Sequence, residues 1–484
     1  MRTAIIGGGI AGLAAAFELE KARGAGSDVT YTLFEARERL GGALASEIVG
    51  GAVLERGPDS FLTEKPAAAE LCRELGLGAE LIPSNDVARK TYILVRNRLV
   101  ALPDGLMFLV PTKLIPTALT RLFSLPTKVR MGLELLLPPR PSVEDEAVAT
   151  LVERHFGVEA VERLADPLLS GIYGGDASQL SARTVLPRLV EMEKEYGSLT
   201  RGMLAAHRKL RKAMSKMQSS RKGSSNGRPA RTIFTAMRGG MQQLIDALVA
   251  RLDPAAVRLG TPVSSLEKVA EGWMVEFGGD SELYDAVIVA SPAWAAGVML
   301  GRVDPKLGEE LGGIPYSSSI TVNLVYDEAQ LGQLPEGFGF LVPASERRCM
   351  LACTFVHRKF LGRTPPGKAV LRAFLGGTKN EALLTESDTA LVATVRRELS
   401  QILGEKVIPL EAEPEVTQVS RWRRAMAQYA VGHEERKRRI AERVAALPGL
   451  KLAGNAYDGI GIPDCIRLGQ QAARELLAAS GAAS

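Results

Sequence analysis

Ile5-Ile6-Gly7-Gly8-Gly9-Ile10-Ala11-Gly12-Leu13-Ala14-Ala15-Ala16 is the stretch that decides the fold. A short apolar strand enters a glycine-rich turn, and an alanine-rich helix leaves it. A second strand, Val29 to Phe34, ends on Glu35-Ala36, and Arg39-Leu40-Gly41-Gly42 follows. Each part has a task around an ADP moiety. Gly7 permits the tight turn, Gly9 lets the backbone approach a pyrophosphate, and Gly12 lets the helix pack closely on the strand. The helix N-terminus at Ile10 and Ala11 offers free N–H groups and a partial positive charge to phosphates. Glu35, 23 residues after Gly12, accepts hydrogen bonds from ribose hydroxyls and repels a 2′-phosphate.

Arg39-x-Gly41-Gly42 extends this site by a turn that dinucleotide dehydrogenases seldom carry. A cation there can meet a flavin pyrophosphate, which turns the choice toward FAD. No second G-x-G-x-x-G occurs downstream. A flavin enzyme reduced by NAD(P)H often carries two such sites. With one, electrons come from the substrate and leave to oxygen or a quinone.

At 484 residues the chain is too long for one ordinary core, so two or three subdomains are expected. Cys72, Cys349, Cys353 and Cys465 are scattered and read as reduced buried thiols, and no histidine shows metal-ligand spacing. No metal is expected. Met1-Arg2-Thr3 leads straight into the first strand, so no signal peptide is expected, and no uncharged apolar run is long enough to span a bilayer. A cytoplasmic location is expected. The net charge of +5 is misleading as an average, because residues 201–231 hold ten Lys/Arg and no Asp/Glu. That basic segment reads as a solvated helix face running into a loop, or as an attraction to anionic lipid or substrate. It has no interleaved aromatics, which argues against nucleic acid.

Along the chain, Gly57-Pro58-Asp59-Ser60-Phe61 forms a turn, and a helix is expected from Pro66 to Leu75. A hairpin is expected from Tyr92–Val95 and Leu99–Leu102 around Arg96-Asn97-Arg98. Residues 103–141 are Pro-punctuated helices rich in Leu, with Lys113, Arg121, Lys128 and Arg130 interspersed. They read equally as a helical subdomain packed on itself or as a surface resting on a membrane or lining a greasy pocket. Helices continue over 143–172. Ser219–Pro229 reads as a flexible loop. Strands are expected at 257–259, 263–268, 273–277 and 285–290, and residues 316–375 read as mainly β. A helix is expected over 387–403. The chain closes with a strand at 450–453, Gly454-Asn455, a Gly-rich turn and a helix over 465–479.

Several segments now combine. After Arg39-Leu40-Gly41-Gly42 come Glu55-Arg56-Gly57-Pro58-Asp59-Ser60-Phe61 and Gly171-Ile172-Tyr173-Gly174-Gly175-Asp176. Gly337-Phe338-Gly339-Phe340-Leu341-Val342-Pro343 and Gln428-Tyr429 with Gly432-His433 follow. The last are Gly454-Asn455 and Gly459-Ile460-Gly461-Ile462-Pro463-Asp464-Cys465. In this order, over essentially the whole chain, they resemble the oxygen-dependent porphyrinogen oxidases of haem synthesis. Members of that family act on protoporphyrinogen or coproporphyrinogen.

The resemblance implies an α/β (α+β overall) architecture with a discontinuous Rossmann-like FAD-binding domain of the p-hydroxybenzoate hydroxylase type. The expected division gives that domain residues 1–56, 237–300 and 425–484. A β-sheet substrate-binding domain would take 57–90, 181–236 and 301–424, and an inserted helical domain 91–180. Implied FAD contacts are Gly7, Gly8, Gly9, Ile10, Ala11, Gly12, Glu35, Ala36, Arg39, Gly42, Gly57, Pro58, Asp59, Ser60, Val263, Asn455, Ile460, Gly461 and Ile462. Implied substrate contacts are Phe338 and Leu341, sandwiching a macrocycle, and Gly171, whose carbonyl faces pyrrole N–H groups.

The implied reaction is a six-electron aromatisation of a porphyrinogen. In each of three rounds a hydride leaves a methylene bridge for the flavin, a pyrrole N–H proton is lost, and O2 is reduced to H2O2. No acid–base constellation stands out, and no catalytic residue is assigned. Asp59 reads either as a proton-binding group or as a turn cap. Thr91 stands where plant-type members carry a propionate-binding arginine, and Asp59 where the human-type member carries one. The Tyr92-Ile93-Leu94-Val95 run looks more like the bacterial coproporphyrinogen type. Peripheral contact with the inner face of a membrane and a homodimer are both compatible with the chain. Rival readings are a flavin amine oxidase or carotenoid desaturase on the same scaffold, and a non-catalytic FAD-binding partner of the haem pathway.

Overall fold

Arg2–Ile6 is the central strand of a five-stranded parallel sheet. On one side it pairs with Thr30–Phe34 and then the edge strand Val257–Arg258. On the other lie Ala286–Val289 and Leu450–Leu452. The chain returns to this sheet from three distant stretches, and the central strands are apolar on both faces, as a covered parallel sheet requires: Ile5, Leu33, Val287 and Ile288 are fully buried. The computed structural model describes residues 1–107, 109–140, 144–219 and 232–481.

The opening helix, Ile10–Gly24, packs against the terminal helix, Ile462–Ala479. Gly469 allows this, since a β-carbon there would lie 2.0 Å from the Ala11 carbonyl oxygen. The chain ends therefore meet at the glycine-rich turn. Beside the parallel sheet lies an antiparallel one, Val263–Val269, Gly272–Phe277 and Asp280–Tyr284.

A seven-stranded sheet forms the second layer, in the order Val416–Ala427, Tyr316–Asp327, Lys368–Gly376, Met350–Phe355, Gly339–Leu341, Thr91–Val95, Arg98–Ala101. Its pairs are antiparallel except Gly339–Leu341 with Thr91–Val95. The hairpin turns at Arg96-Asn97, both at positive φ (49° and 60°), as a two-residue type I′ connection demands. One face of the sheet buries Ile320, Phe340, Leu371 and Leu375 against the helix Asp388–Leu403.

The helical unit draws its core from residues between Leu109 and Met203, with Ile93 and Val95 of the hairpin packed on it. Leu189, Leu199 and Met203 place the helices Pro187–Tyr196 and Leu199–Ser219 in this unit. Val161–Ala165 winds as a π-helical turn ahead of the helix Asp166–Tyr173. The rest of the basic run, 220–231, and nearly all of the Ser219–Pro229 loop lie outside the described residues. Among the described residues, no helix is long and apolar enough to cross a membrane.

Candidate active site

The turn between the first strand and helix has the geometry its glycines imply. Gly7 sits at φ +111°, and a β-carbon on Gly12 would lie 1.9 Å from the Gly7 carbonyl oxygen. Gly9 is the helix N-cap. No side chain caps the helix and no acid lies in its first turn, so the N–H groups around Ile10 and Ala11 keep their attraction for an anion. In front of Gly9 there is room: the nearest atom to a β-carbon there would be the Gly42 Cα at 3.9 Å. Glu35 is held at its strand end by the N–H groups of Gly8 (2.7 Å) and Arg37 (2.9 Å). Each carboxylate oxygen keeps a lone pair for a ribose hydroxyl. Thr261 N–H donates to the Glu35 carbonyl (2.9 Å), which brings the strand starting at Val263 alongside Glu35 and the exposed Ala36.

The Arg39 guanidinium donates to the carbonyls of Leu40 (3.0 Å), Leu44 (3.1 Å) and Gly42, so it shapes its own loop. A residue without a motif also stands at the site. Ser291 follows the strand Ala286–Val289, its N–H would be 3.0 Å from a Gly7 β-carbon, and its buried hydroxyl has no protein partner. A polar residue just past the end of a parallel strand, at a switch point, is the signal that could have found it.

The Gly57–Ser60 turn lies over a buried ionic cluster. Glu55 pairs with Arg363 (3.0 Å), and both are almost fully buried. Glu55 also accepts from Ser46 Oγ (2.6 Å) and Met241 N–H (2.9 Å). Asp59 accepts from Lys359 (3.0 Å) and from Ser60 Oγ (2.6 Å), with an Arg372 nitrogen at 3.8 Å. Arg372 donates to the Gly57 carbonyl, while its Nε is buried without a partner. Burial alone would raise the Asp59 carboxyl, but Lys359 and Arg372 hold it well below the usual carboxylate range. That makes Asp59 a poor base, so of its two readings proton abstraction loses ground. Its role here is counter-ion to two buried cations.

The C-terminal turn is set by backbone. Asn455 donates to the Ala425 carbonyl (2.9 Å) and accepts from the Tyr316 hydroxyl (3.4 Å), so its side chain faces protein. Half-buried Ile460 leads to Gly461, the N-cap of the terminal helix, and to buried Ile462. No side chain caps this helix, and the acid in its first turn, Asp464, is paired with Lys65 (2.6 Å).

The structure brings two of the three implied substrate residues together. A β-carbon on Gly171 would lie 3.2 Å from Leu341 Cδ2. Gly171 is exposed in the last turn of its helix, where carbonyls lack intrahelical partners and can accept from a ligand. Phe338 is buried, and its backbone is fixed by the Lys90 carbonyl and the Phe355 N–H, both at 2.8 Å. Thr91 pairs with Gly339 in the same sheet.

An uncapped helix above a glycine cradle, an acid at the second strand end and an orphaned serine hydroxyl together suit an ADP-containing cofactor. The chain belongs to the flavin containing amine oxidoreductases, whose family model matches residues 10–477. FAD is the cofactor that its single fingerprint accommodates. Within the family the likeness narrows. The chain is 35% identical to the coproporphyrinogen III oxidase of Bacillus subtilis (strain 168), over 98% of this chain and 97% of that one. It is 30% identical to the coproporphyrinogen III oxidase of Staphylococcus aureus, over 98% of each. The crystal structure of "Putative protoporphyrinogen oxidase" from Exiguobacterium sp. 255-15 shares 31% identity and a TM-score of 0.81, over 98% of each chain.

Proposed function

We propose that the protein oxidises coproporphyrinogen III to coproporphyrin III, with O2 as acceptor and H2O2 as product, in haem biosynthesis. The observation that carries the substrate is the 35% identity over 98% of the chain with a relative of that name. Protoporphyrinogen IX is the second reading, favoured by the name of the Exiguobacterium structure and by 29% identity to an Arabidopsis thaliana protoporphyrinogen oxidase. When bound, the flavin supplies the two-electron acceptor. The chain's own residues bind and orient. The N-terminus of Ile10–Gly24 would hold the phosphates, Glu35 the ribose, and the Gly57–Ser60 and Ile460–Ile462 backbones the ring system. Gly171, Phe338 and Leu341 hold the macrocycle, with the Gly171 carbonyl toward its pyrrole N–H groups. Asp59 keeps Lys359 and Arg372 neutralised at the Gly57–Ser60 turn.

The division into domains shifts from the sequence expectation in this reading. The hairpin 91–101 goes with the substrate sheet, and the helical unit runs from about 102 to 219, which moves three helices, Ala182–Val185, Pro187–Tyr196 and Leu199–Ser219, out of the substrate domain. Ile115, Leu119, Leu125, Val129, Leu133 and Leu136 are each more than half exposed within two consecutive helices and the turn after them, and Lys128 and Arg130 lie among them. In this reading the face rests on the anionic inner surface of a membrane and the protein is cytoplasmic. Co-sedimentation with anionic but not neutral vesicles tests it. A homodimer covering the same face would show as a doubled mass in solution.

The deciding assay mixes purified holoprotein with each porphyrinogen in air and follows porphyrin fluorescence and H2O2. Coproporphyrin formation above the autoxidation control is expected. No porphyrin from either substrate would sink the assignment, and a preference for protoporphyrinogen IX would reverse the order of the two readings.

A further inference from the structure

The Gln428-Tyr429-x-x-Gly432-His433 segment has no task in the reaction described so far. It is the short connection between the strand Val416–Ala427 and the helix His433–Ala445. Its two leading side chains go to different places. Gln428 Nε2 donates to the Tyr173 carbonyl (2.7 Å) and to Ser317 Oγ (3.0 Å), and Ser317 Oγ donates to the same carbonyl (3.0 Å). Tyr173 ends the helix that carries Gly171. A β-carbon on the adjoining Gly175 would lie 2.1 Å from Gln428 Oε1, so a larger residue there would displace the Gln428 amide.

Tyr429 reaches the flavin turn. Its buried hydroxyl donates to the Asn455 carbonyl (2.9 Å) and accepts from the Gly459 N–H (2.8 Å), closing the turn across its base. The His433 ring stacks on it, with centroids 4.3 Å apart and planes at 20°. The backbone between them is fixed as well. Gln428 N–H donates to the Pro315 carbonyl, the Tyr429 carbonyl accepts from Ser181 N–H, and Gly432 N–H donates to Asp145.

We infer that Gln428 and Tyr429 are positioning residues which set the macrocycle-bearing helix and the flavin turn at one fixed separation. Neither touches the reacting atoms. One side chain anchors the end of the Gly171 helix, its neighbour anchors the turn at Gly459–Ile462, and the rigid peptide between them is the ruler. A hydride transfer is sensitive to such a distance, since productive geometry requires the reacting atoms about 3–3.5 Å apart. The inference rests on the proposed roles of Gly171 and of the Ile460–Ile462 backbone.

The test uses FAD-loaded holoprotein carrying Tyr429→Phe or Gln428→Met. Tyr429→Phe should speed amide exchange at Gly459 and weaken FAD binding about tenfold, leaving exchange at Gly174–Ala177 unchanged. Gln428→Met should do the reverse: faster exchange at Gly174–Ala177, unchanged FAD affinity, and a raised KM for the porphyrinogen. Gly175→Ala, which displaces the Gln428 amide, should copy Gln428→Met and serves if that variant folds poorly. Equal loosening of both regions by either variant, or of neither, would overturn the inference. If the parent makes no porphyrin, the substrate reading falls, while the exchange and FAD-affinity results still decide whether the two anchors exist.

Discussion

The proposed nucleotide end and the proposed substrate face of this molecule are built from different materials. The first is mostly backbone: two uncapped helix N-termini, at Gly9 and Gly461, and turns in which a β-carbon has no room. Its specification is shape, written in glycines over a dozen consecutive residues. The second joins residues from segments far apart in sequence, as Gly171 meets Leu341, and so does the charged support of the Gly57–Ser60 turn, where Arg372 meets Gly57 and Asp59. Shape can be destroyed by one methyl group but is indifferent to pH, whereas a charge-built face can be tuned residue by residue.

The largest effect should come from the nucleotide end. Gly12→Val puts a β-carbon where backbone already stands, 1.9 Å from the Gly7 oxygen, and neither partner is a movable side chain. The purified variant should carry no flavin absorbance. Retention of a full flavin complement would break the claim that this end is specified by backbone shape. Next is Arg363→Met, beneath the Gly57 turn. It strands Glu55 as a buried unpaired carboxylate, and truncating one partner of such a pair costs about 3–5 kcal/mol. Denaturant unfolding should show that loss, and Glu55→Gln added to it should recover part.

The same contrast explains what could be read from the sequence. The Gly7–Gly12 turn, Glu35 and the closing Gly454–Ile462 element are local patterns, so the strand–turn–helix at each end was legible. The third strand of the small sheet, Asp280–Tyr284, was not, because Asp280-Ser281-Glu282 lacks apolar alternation and gains its place by pairing with Gly272–Phe277. The hairpin 91–101 was legible as a hairpin, but its parallel pairing with Gly339–Leu341, nearly 250 residues on, leaves no periodic trace. Lys359, Arg363 and Arg372 carry no motif spacing. Only the fold shows that these charged residues are buried and paired rather than solvated. The loop bonds of Arg39 were not legible for a related reason: an arginine beside a phosphate loop can bind the phosphate or the loop, and the residue type does not distinguish them.

On the substrate face, Gly171→Val should push Leu341 aside from 3.2 Å and lower kcat/KM about 10–100-fold with flavin content unchanged. Flavin loss in that variant would show that the two regions are not separable. The helical unit behind that face should respond to pH. His155 is buried between Glu134 (3.0 Å) and Glu193 (3.2 Å). Burial lowers the imidazole's affinity for its proton, but the two carboxylates outweigh it and hold the pKa above the usual value. Burial likewise opposes Glu193, yet His155 and Arg154 bring it down to about 2. The histidine's contribution is thus complete below about 6.5 and lost as pH rises through its folded value. The glutamate's is complete above about 4.5 and lost as pH falls toward 2. His155→Gln should cost about 1.5–3 kcal/mol near pH 6 and less at pH 9, read as a shrinking gap in Tm to the parent.

The smallest effect is expected at Arg39, whose guanidinium is engaged by its own loop. If Arg39 faced the pyrophosphate, Arg39→Met would weaken FAD binding strongly at low salt and less at high salt, because an ion pair would be lost. In the structure its guanidinium serves the carbonyls of Leu40, Gly42 and Leu44. The substitution then removes neutral hydrogen-bond acceptors' partners from one loop, at about 1 kcal/mol, and FAD affinity should fall by less than about tenfold with the same salt dependence as the parent. A steep difference in salt dependence between the two proteins would return Arg39 to the phosphate and make the nucleotide end partly a charge-built site after all.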